Sequence, residues 1–240
     1  MPSSRKNKLK EVSCDHCSLK DLCEVLGYGS DETNLPEGTL KKDQGIAKGE
    51  TIFRMGDSFR SLFAVRAGSF KTLVSSDTDS EKVLSFHLAG ELVGAEGLAQ
   101  KHHSCTARAL EPSSVCEINL ERLEETGLPM ETLHMAIISL LGKKIAFEHS
   151  INASLIRQSA ETRLAAFIYC LSERLTAHGM PGLEFKLNIS RADIANYLGL
   201  AMETVSRILK KFEKEGMLSV SGKHFNLKDM ERLKYQAESI

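Results

Sequence analysis

The chain has 240 residues, a formal net charge of −1 at pH 7, 42% hydrophobic residues and 26% charged residues. This length fits one large domain or two ordinary ones, and the composition is typical of a globular protein rather than a disordered or fibrous one. No apolar stretch is long enough to span a membrane, and the polar, basic residues 1–10 do not resemble a secretory signal, so we expect a cytoplasmic protein without a membrane partner, whose six cysteines are thiols or metal ligands.

Three cysteines stand close together near the N-terminus, in the segment SCDHCSLKDLCEV. Cys14, Cys17 and Cys23 follow the pattern C-x2-C-x5-C. Because most closed metal sites in proteins take four protein ligands, this pattern predicts a metal centre whose fourth ligand lies elsewhere in the chain.

A loop and then many short strands are predicted to follow. Residues 27–49 are rich in Gly, Asp and Lys and show no clear period, which is typical of a loop. From Glu50 to Leu120, short apolar runs are bounded by Gly, Asp, Ser or Pro, and this spacing predicts an antiparallel sandwich or barrel. Cys116 lies in the last run, SSVCEINL, where a small buried strand residue is the ordinary interpretation. Cys105, in HHSCTA, is a rival metal ligand because two histidines precede it.

A long helix is predicted from Pro129 to about Ser159, because Pro is favoured in a first helical turn and no later Pro interrupts the stretch. Along it, residues recur at spacings of 4, 3, 4 and 3, as in the seam of a coiled coil. The seam residues are Leu141, Ile145, Glu148, Asn152 and Leu155. In the other possible phase, Lys144 and Ile151 replace Ile145 and Asn152.

A second amphipathic helix is predicted from Ala160 to Ala177, and HGMPG at 178–182 ends it. Cys170 lies on the apolar side of this helix and is expected to be a core residue.

The sharpest local pattern is NISRADIANYLGLAMETVSRILKKFEKEG, at 188–216. Ser190 and Asp193 form a capping box that opens a short helix, Gly199 supplies a tight turn, and a second helix runs from about Met202 to Glu215. This is a helix-turn-helix arrangement, and the following MLSVSGKHFNL predicts a two-stranded wing. Four polar residues of different kinds share one face of the second helix, a mixture that suits base edges better than plain solvation. They are Glu203, Ser206, Arg207 and Lys210.

Together these motifs resemble the CRP/FNR superfamily of bacterial transcription regulators, and specifically its oxygen-sensing FNR branch. The glycine-punctuated stretch from Gly49 to Gly68 resembles the family's sensor jelly roll, and FHLAGELVG at 86–94 resembles the segment that lines its cyclic-nucleotide pocket. ERLTAHG and SRADIANYLGLAMETVSRILKKFEKEGML resemble its DNA-binding domain. The resemblance implies an α+β fold with an antiparallel β jelly-roll sensor domain, a long dimerisation helix and a C-terminal winged helix-turn-helix.

The resemblance also implies a division of the chain into four parts. These are a cysteine-rich cluster-binding segment at 1–26, the jelly-roll sensor domain at 27–128, the dimerisation helix at 129–159 and the winged helix-turn-helix DNA-binding domain at 160–240.

For the cysteines, the resemblance implies a 4Fe–4S cluster held by Cys14, Cys17 and Cys23 together with Cys116, which is preferred over Cys105. Assembly of the cluster is expected to order a loosely structured N-terminus against the sandwich. One departure concerns VLGYGSDETNLPEGTL at 25–40, which is more polar and glycine-rich than the corresponding stretch of the family.

Cyclic nucleotide is not expected to be the effector. The cAMP-binding branch holds the cyclic phosphate with an Arg-Ser pair, and this chain has His103-Ser104 at the corresponding place. A neutral histidine cannot replace a permanently charged, bidentate guanidinium on a phosphate.

The implied partners are double-stranded DNA and RNA polymerase. Glu203, Ser206 and Arg207 match the family's reading residues E-x2-S-R and imply a palindrome of TTGAT-type half-sites. Phosphate contacts are expected from Ser190, Thr204, Lys210 and Lys211.

The resemblance further implies a homodimer that forms when the cluster is intact. Glu148 falls on the seam in either phase and would face its own copy, where like charges about 4 Å apart cost about 1 kcal/mol in water and about 4 kcal/mol at an effective dielectric constant of 20. Such a repulsion makes dimerisation dependent on the cluster.

Two alternatives remain open at this point. One is a CRP-like regulator with a different effector and with zinc or no metal at the cysteines. The other is an iron–sulfur or zinc enzyme with a nucleic-acid-binding domain, although the sequence contains no P-loop, no G-x-G-x-x-G and no nucleophile–base pair that we can identify. We therefore expect a regulator rather than an enzyme.

Overall fold

The computed structural model describes residues 11–27, 36–75, 80–155 and 159–238. In the helix at 130–155 the backbone is described throughout, but the side chains of 130, 147, 148 and 150–155 lie outside the description. Among the described residues, no helix is both long and apolar enough to cross a membrane.

Eight strands in the described N-terminal half form the predicted antiparallel sandwich. They are β1 (Leu40–Ile46), β2 (Thr51–Phe53), β3 (Ser61–Ala67), β4 (Ser69–Ser75), β5 (Glu81–Leu88), β6 (Leu92–Val93), β7 (Thr106–Ala109) and β8 (Ser113–Asn119). One sheet has the order β1-β8-β3-β6 and the other β2-β7-β4-β5. Gly68 turns the chain from β3 to β4 with φ +84°, and a Cβ there would lie 2.2 Å from the Ser113 hydroxyl oxygen, so this turn requires glycine.

The prediction that 27–49 is a loop is wrong for 40–46, which form β1. Residues 28–35 lie outside the described part of the chain. The sequence of β1, LKKDQGI, alternates weakly because the strand is interrupted by a bulge between Lys41 and Gln44.

The sheet that contains β3 and β8 is covered on both faces. Side chains alternate between faces along a strand. Val65 and Val115 belong to the core between the two sheets, whereas Leu62 and Ile118 point to the opposite face, which helices cover.

Two of the three helices described in this half cover that face. The helices are α1 (Lys20–Val25), the short α2 (Gly97–Gln100) and the long α3 (Met130–Leu155). Leu19, Leu22 and Leu26 each retain at most 3% of their exposure and pack between the sheet and α3, against Leu133 and Leu140. Residues 11–26 thus pack against the sandwich and α3, and residues 1–10 lie outside the description. That assembly of the cluster orders this segment stays a prediction.

The C-terminal part has the predicted winged helix-turn-helix. Its elements are α4 (Ala160–Ala177), β9 (Glu184–Lys186), α5 (Arg191–Leu198), α6 (Met202–Lys214), β10 (Leu218–Ser221), β11 (His224–Leu227) and α7 (Met230–Glu238). The predicted bounds of α4 are confirmed, and α6 ends one residue earlier than predicted. The Ser159 and Ser190 hydroxyls accept hydrogen bonds from the third residues of α4 and α5 at 3.0 Å, so these caps determine where both helices begin. The sequence did not predict β9 or α7.

The C-terminal part is docked on the second sheet. Asp193, in the first turn of α5, forms a 2.6 Å ion pair with Lys71 of β4. The Asn196 side chain accepts a hydrogen bond from the backbone N–H of Val83 at 2.8 Å and donates one to the backbone carbonyl of Glu81 at 2.7 Å. The helix-turn-helix is thus connected directly to the sensor strands.

A buried ion pair completes this interface. Arg174 of α4 binds both carboxylate oxygens of Glu91, at 2.8 and 2.6 Å, and both side chains are less than 10% exposed. Burial alone would raise the pKa of Glu91, but the charge and hydrogen bonds of Arg174 outweigh it and lower the pKa to about 2.

His87 lies nearby and is also buried. Its Nδ1–H donates to the Leu92 carbonyl at 3.1 Å, which leaves Nε2 to accept from the Thr72 hydroxyl at 3.3 Å. Burial lowers the pKa of this imidazole to about 3, so it is neutral at physiological pH.

We expect this histidine to make the protein acid-sensitive. Between pH 6.5 and pH 3, His87 is protonated in the unfolded chain but neutral in the folded protein. The free energy of unfolding therefore falls as pH falls through that window, by up to about 1.4 kcal/mol per pH unit. His87→Gln should flatten this slope between pH 6 and pH 5, above the range in which Glu91 titrates. Urea unfolding at both pH values is the measurement, and the exposed His102→Gln is the control. Equal slopes for His87→Gln and wild type would contradict the assignment.

Candidate metal centre and nucleic-acid interface

The N-terminal cysteines lie on a turn followed directly by a helix. Residues Cys14–His16 form one 3-10 turn, closed by a hydrogen bond from the Cys17 N–H to the Cys14 carbonyl at 3.2 Å. Cys23 lies inside α1, and its N–H donates to the Leu19 carbonyl at 2.9 Å. Cys14 is exposed, and Cys17 and Cys23 are half-buried against the core that contains the α1 leucines.

Cys116 lies on the face of the sheet that this segment covers. It pairs with Ala64 across the β3–β8 ladder, and it lies two residues before Ile118, whose side chain packs with the α1 leucines. Because alternate residues of a strand share a face, the Cys116 side chain points toward the same segment.

A cavity of about 290 Å³ connects these groups. Cys14, Cys17 and Cys116 line it, together with the cationic residues Lys42 and Arg66. A concentration of sulfur beside two cations suits a group that is held by negatively charged thiolates.

Neighbouring thiols add to the effect of burial at two of the cysteines. Burial raises the pKa of Cys17 to about 11 and, with smaller contributions from Cys17, Cys116 and Cys14, raises that of Cys23 to about 12. Burial also raises the pKa of Cys116, against the opposing effects of the Asp43 backbone N–H and the Arg66 charge. Binding of a metal as thiolates would therefore release protons.

In this arrangement the cysteines are not gathered around one point. Among residues 11–27, 36–75, 80–155 and 159–238, no group of three or more His, Cys, Asp or Glu side chains is close enough to hold a single metal ion. The donor chemistry at the cavity nevertheless fits a thiolate-bound group, because three cysteines line it and Cys23 interacts with all of them.

The other two cysteines lie elsewhere. Cys105 belongs to the core between the sheets and donates to Glu96 Oε1 at 3.5 Å. The ring of His103 also binds Glu96, at 2.9 Å, and stacks on Phe53 with a centroid separation of 3.6 Å. Cys170 is half-buried on α4 rather than fully buried as expected.

The predicted reading face lies on the solvent side of α6. Glu203 and Arg207 are exposed and Ser206 is half-buried, while the opposite side of the helix packs in the core. The buried residues are Val205, Ile208, Leu209 and Phe212. Arg191 of α5 donates to the Ser206 hydroxyl at 3.4 Å. Sequence reasoning missed this arginine, although its position directly after the capping residue Ser190 was a signal.

The predicted phosphate-binding residues differ in their surroundings. Lys210 is exposed and Thr204 is half-buried. The Lys211 ammonium lies 2.6 Å from Glu161 Oε2, and the exposed Ser190 donates to Asp193 at 2.7 Å while capping α5. A phosphate at Lys211 or Ser190 would compete with the acidic side chain that is bound there. Lys210 is therefore the predicted phosphate ligand whose substitution is easiest to interpret.

The predicted dimer seam is described only in part. Leu141 is half-buried and Ile145 is 55% exposed, and the equally exposed Ile138 stands one heptad before Ile145. The side chains of Glu148, Asn152 and Leu155 lie outside the description, as does that of Ile151 in the alternative phase, while Lys144 is half-buried.

Comparisons with known proteins agree over most of the chain. A family model for the Crp-like helix-turn-helix domain matches residues 162–235, and one for the cyclic nucleotide-binding domain matches residues 44–126. Over 222 residues the chain is 38% identical to the fumarate and nitrate reduction regulatory proteins of Salmonella typhimurium and of Escherichia coli K12, which covers 92% of this chain and 89% of each relative.

Solved structures support the fold. FixK2 from Bradyrhizobium japonicum matches with a TM-score of 0.72 at 24% identity, over 82% of this chain and 98% of that one. A CRP-family transcriptional regulator from Thermus thermophilus matches with a TM-score of 0.64 at 21% identity, over 82% of this chain and 97% of that one.

Proposed function

The chain belongs to the CRP/FNR family of transcription regulators, as an FNR-type member with a DNA-binding helix-turn-helix, and we propose that it senses oxygen through a 4Fe–4S cluster to control anaerobic gene expression. The observation that carries the proposal is that Cys14, Cys17 and Cys116 line one cavity and that Cys23 lies on α1 of the same segment, where this segment packs on the sheet and α3.

Four cysteine thiolates are the usual ligand set of a 4Fe–4S cluster. A zinc ion would need its four sulfurs about 2.3 Å from a single centre, whereas Cys14, Cys17 and Cys116 line a cavity of about 290 Å³, which offers more space than one ion fills. A bound cluster would supply an oxygen-sensitive group that joins the N-terminal segment to β8.

The chain's own residues connect this site to the rest of the molecule. Asp21 of α1 forms a 2.5 Å ion pair with Lys143 of α3. The Ser18 N–H donates to the Gly90 carbonyl at 2.7 Å, and His178 Nδ1–H, at the end of α4, donates to the His16 carbonyl at 2.6 Å. The cysteine segment therefore contacts the sensor sheet, the dimer helix and the DNA-binding domain.

We infer that these contacts set α3 for pairing with a second copy. The family is typically dimeric, and a dimer presents two α6 helices to two half-sites about 34–36 Å apart. A monomer would bind one half-site and lose the gain in effective concentration. On each half-site of a TTGAT-type sequence, Glu203 suits cytosine and Arg207 suits guanine. We place this activity in the cytoplasm, with RNA polymerase as the further partner.

Cyclic nucleotide is not part of the proposal. The segment that resembles the nucleotide pocket is packed with protein, since a Cβ at Gly94 would lie 3.1 Å from Phe53 and 3.4 Å from His103. The aromatic stacking of His103 on Phe53 is further support for a region that is filled by protein side chains rather than open to a nucleotide.

The first test is the ligand set. After anaerobic reconstitution, wild-type protein should be brown and bleach in air, and Cys116→Ser should lose its iron and acid-labile sulfide because one of four thiolates is missing. Cys105→Ser and Cys170→Ser are the matched controls and should keep wild-type iron. Iron that survives the loss of Cys116 but vanishes with Cys105 would assign the fourth ligand to Cys105.

The second test separates base reading from phosphate binding. Arg207→Ala should weaken binding to a TTGAT palindrome by roughly 1–3 kcal/mol per half-site, with the loss concentrated on the guanine. Lys210→Ala should weaken all sequences alike and reduce the salt slope by about one. Fluorescence anisotropy on cognate and scrambled duplexes is the measurement. An equal loss on both duplexes for Arg207→Ala would remove it from the base-reading set.

The third test concerns the dimer seam. Glu148→Ala should remove a like-charge repulsion of the order of 1–4 kcal/mol, which exceeds the gain of about 0.5 kcal/mol or less in helix propensity. Relief of about 1 kcal/mol raises the dimerisation constant roughly fivefold, and relief of about 4 kcal/mol raises it by nearly three orders of magnitude. Sedimentation of the iron-free variant should therefore detect dimers in air. An iron-free variant as monomeric as iron-free wild type would place Glu148 on a solvated surface.

A further inference from the structure

Two irregularities in the first sheet flank Cys116. The pairing of β1 with β8 shifts between residues 41 and 44, so that Lys42 and Asp43 together oppose Cys116. The pairing of β3 with β8 shifts again at Arg66. Bulges of this kind redirect side chains and are over-represented beside functional sites. Here both bulges adjoin the strand residue that we assign to the metal centre.

Asp43 occupies an uncommon backbone conformation. Its φ is 54°, in the left-handed region that aspartate tolerates better than most residues. From this position, opposite Cys116 in the strand register, its backbone N–H acts on the Cys116 thiol and lowers its pKa, against the effect of burial. Its carboxylate Oδ2 accepts a hydrogen bond from Arg66 Nη1 at 2.5 Å. Because Arg66 lies on β3, on the other side of β8, this contact holds the bulge of β1 in place across β8.

Arg66 also holds the chain that leads to Cys14. Its Nη2 lies 2.8 Å from Glu11 Oε2, and its backbone carbonyl accepts from the Val12 N–H at 2.9 Å. Val12 is buried in the core between the sheets. A single arginine thus ties the segment before Cys14 to the bulge opposite Cys116, and it lines the cavity between them.

We propose that Arg66 and Asp43 are positioning residues of the cysteine centre, which hold Cys14 and Cys116 in register and supply a positive charge and an N–H donor to the sulfur environment. This inference rests on the proposed function, because it assigns both residues to a cluster site. Hydrogen bonds to the sulfurs and local charge are among the factors that set the reduction potential of such sites.

The experiment uses the full chain reconstituted without oxygen. Arg66→Gln should release iron to a ferrous chelator about 10- to 100-fold faster than wild type, the range found for partners of metal ligands. It should also shift the midpoint potential in the negative direction, because a cation is lost. Lys41→Gln is the matched control, since Lys41 is a cation that precedes the bulge on β1 and pairs with Glu117 rather than with Asp43 or Glu11. Equal release rates and potentials in all three proteins would overturn the proposal.

Variants at Asp43 separate the backbone donor from the ion pair. Asp43→Gly and Asp43→Val lose the same carboxylate, whose charge acts on Cys116, so these two variants are compared with each other rather than with wild type. Asp43→Gly favours positive φ and keeps the N–H in place. Asp43→Val cannot readily adopt this φ, and its potential should lie below that of Asp43→Gly as the N–H leaves the sulfur. Arg66→Lys keeps the charge and should keep the potential while releasing iron faster than wild type. Equal potentials in Asp43→Val and Asp43→Gly would overturn the role of the Asp43 N–H.

A second measurement does not depend on the cluster. Hydrogen exchange of the iron-free chain should be faster at Val12 in Arg66→Gln than in wild type or Lys41→Gln, because the Glu11 ion pair that holds this stretch is gone. Failure of wild type to take up iron and sulfide would overturn the proposed function. In that case unchanged exchange in Arg66→Gln would also overturn the positioning role, and faster exchange would support it.

Discussion

The structure depends first on the burial of three leucines between a sheet and a helix. Leu19, Leu22 and Leu26 are almost completely buried, and full burial of a leucine is worth about 1.5–3 kcal/mol relative to exposure. The ion pair between Asp21 and Lys143 is partly exposed, and pairs of this kind contribute about 0–1 kcal/mol. The hydrophobic contacts therefore hold the cysteine segment in place, and the polar contacts select its position. Cys17 and Cys23 pack against the same core, so two of the proposed ligands belong to the scaffold that holds the segment.

The DNA-binding domain is attached by a different kind of interaction. The pair formed by Arg174 and Glu91 is buried, so its attraction is offset by the cost of removing both charges from water. The pair contributes mainly to the orientation of the domain, because a guanidinium donates two hydrogen bonds to a carboxylate in one geometry. Together with the contact between Lys71 and Asp193, it fixes the first turn of α5 on the sensor strands. Helix α6, which carries the predicted reading residues, therefore has a defined position relative to the N-terminal cysteines.

The sequence predicted elements that are specified locally and missed those that depend on distant partners. Helices α4, α5 and α6 were predictable because Ser190, Gly199 and the apolar spacing act within a few residues. Strand β1 was not, because the bulge at Asp43 breaks its alternation and a polar strand resembles a loop. The ligand role assigned to Cys116 came from a family resemblance. Its supporting geometry, a shared face with Ile118, required the strand register. The 83-residue separation between Arg174 and Glu91 leaves no local signature.

Helix α3 has apolar residues on two sides, one facing the cysteine segment and one carrying the predicted dimer seam. Leu133, Ala136 and Leu140 pack under α1 and the sheet, while Ile138 and Ile145 remain more than half exposed. Close-packed interfaces are not continuously deformable, so in the proposed mechanism a change in the α1 contacts on the inner side would move the helix as a unit, and the outer stripe with it. Such a mechanism needs no contact between the cysteines and the predicted dimer seam, because one helix carries both surfaces.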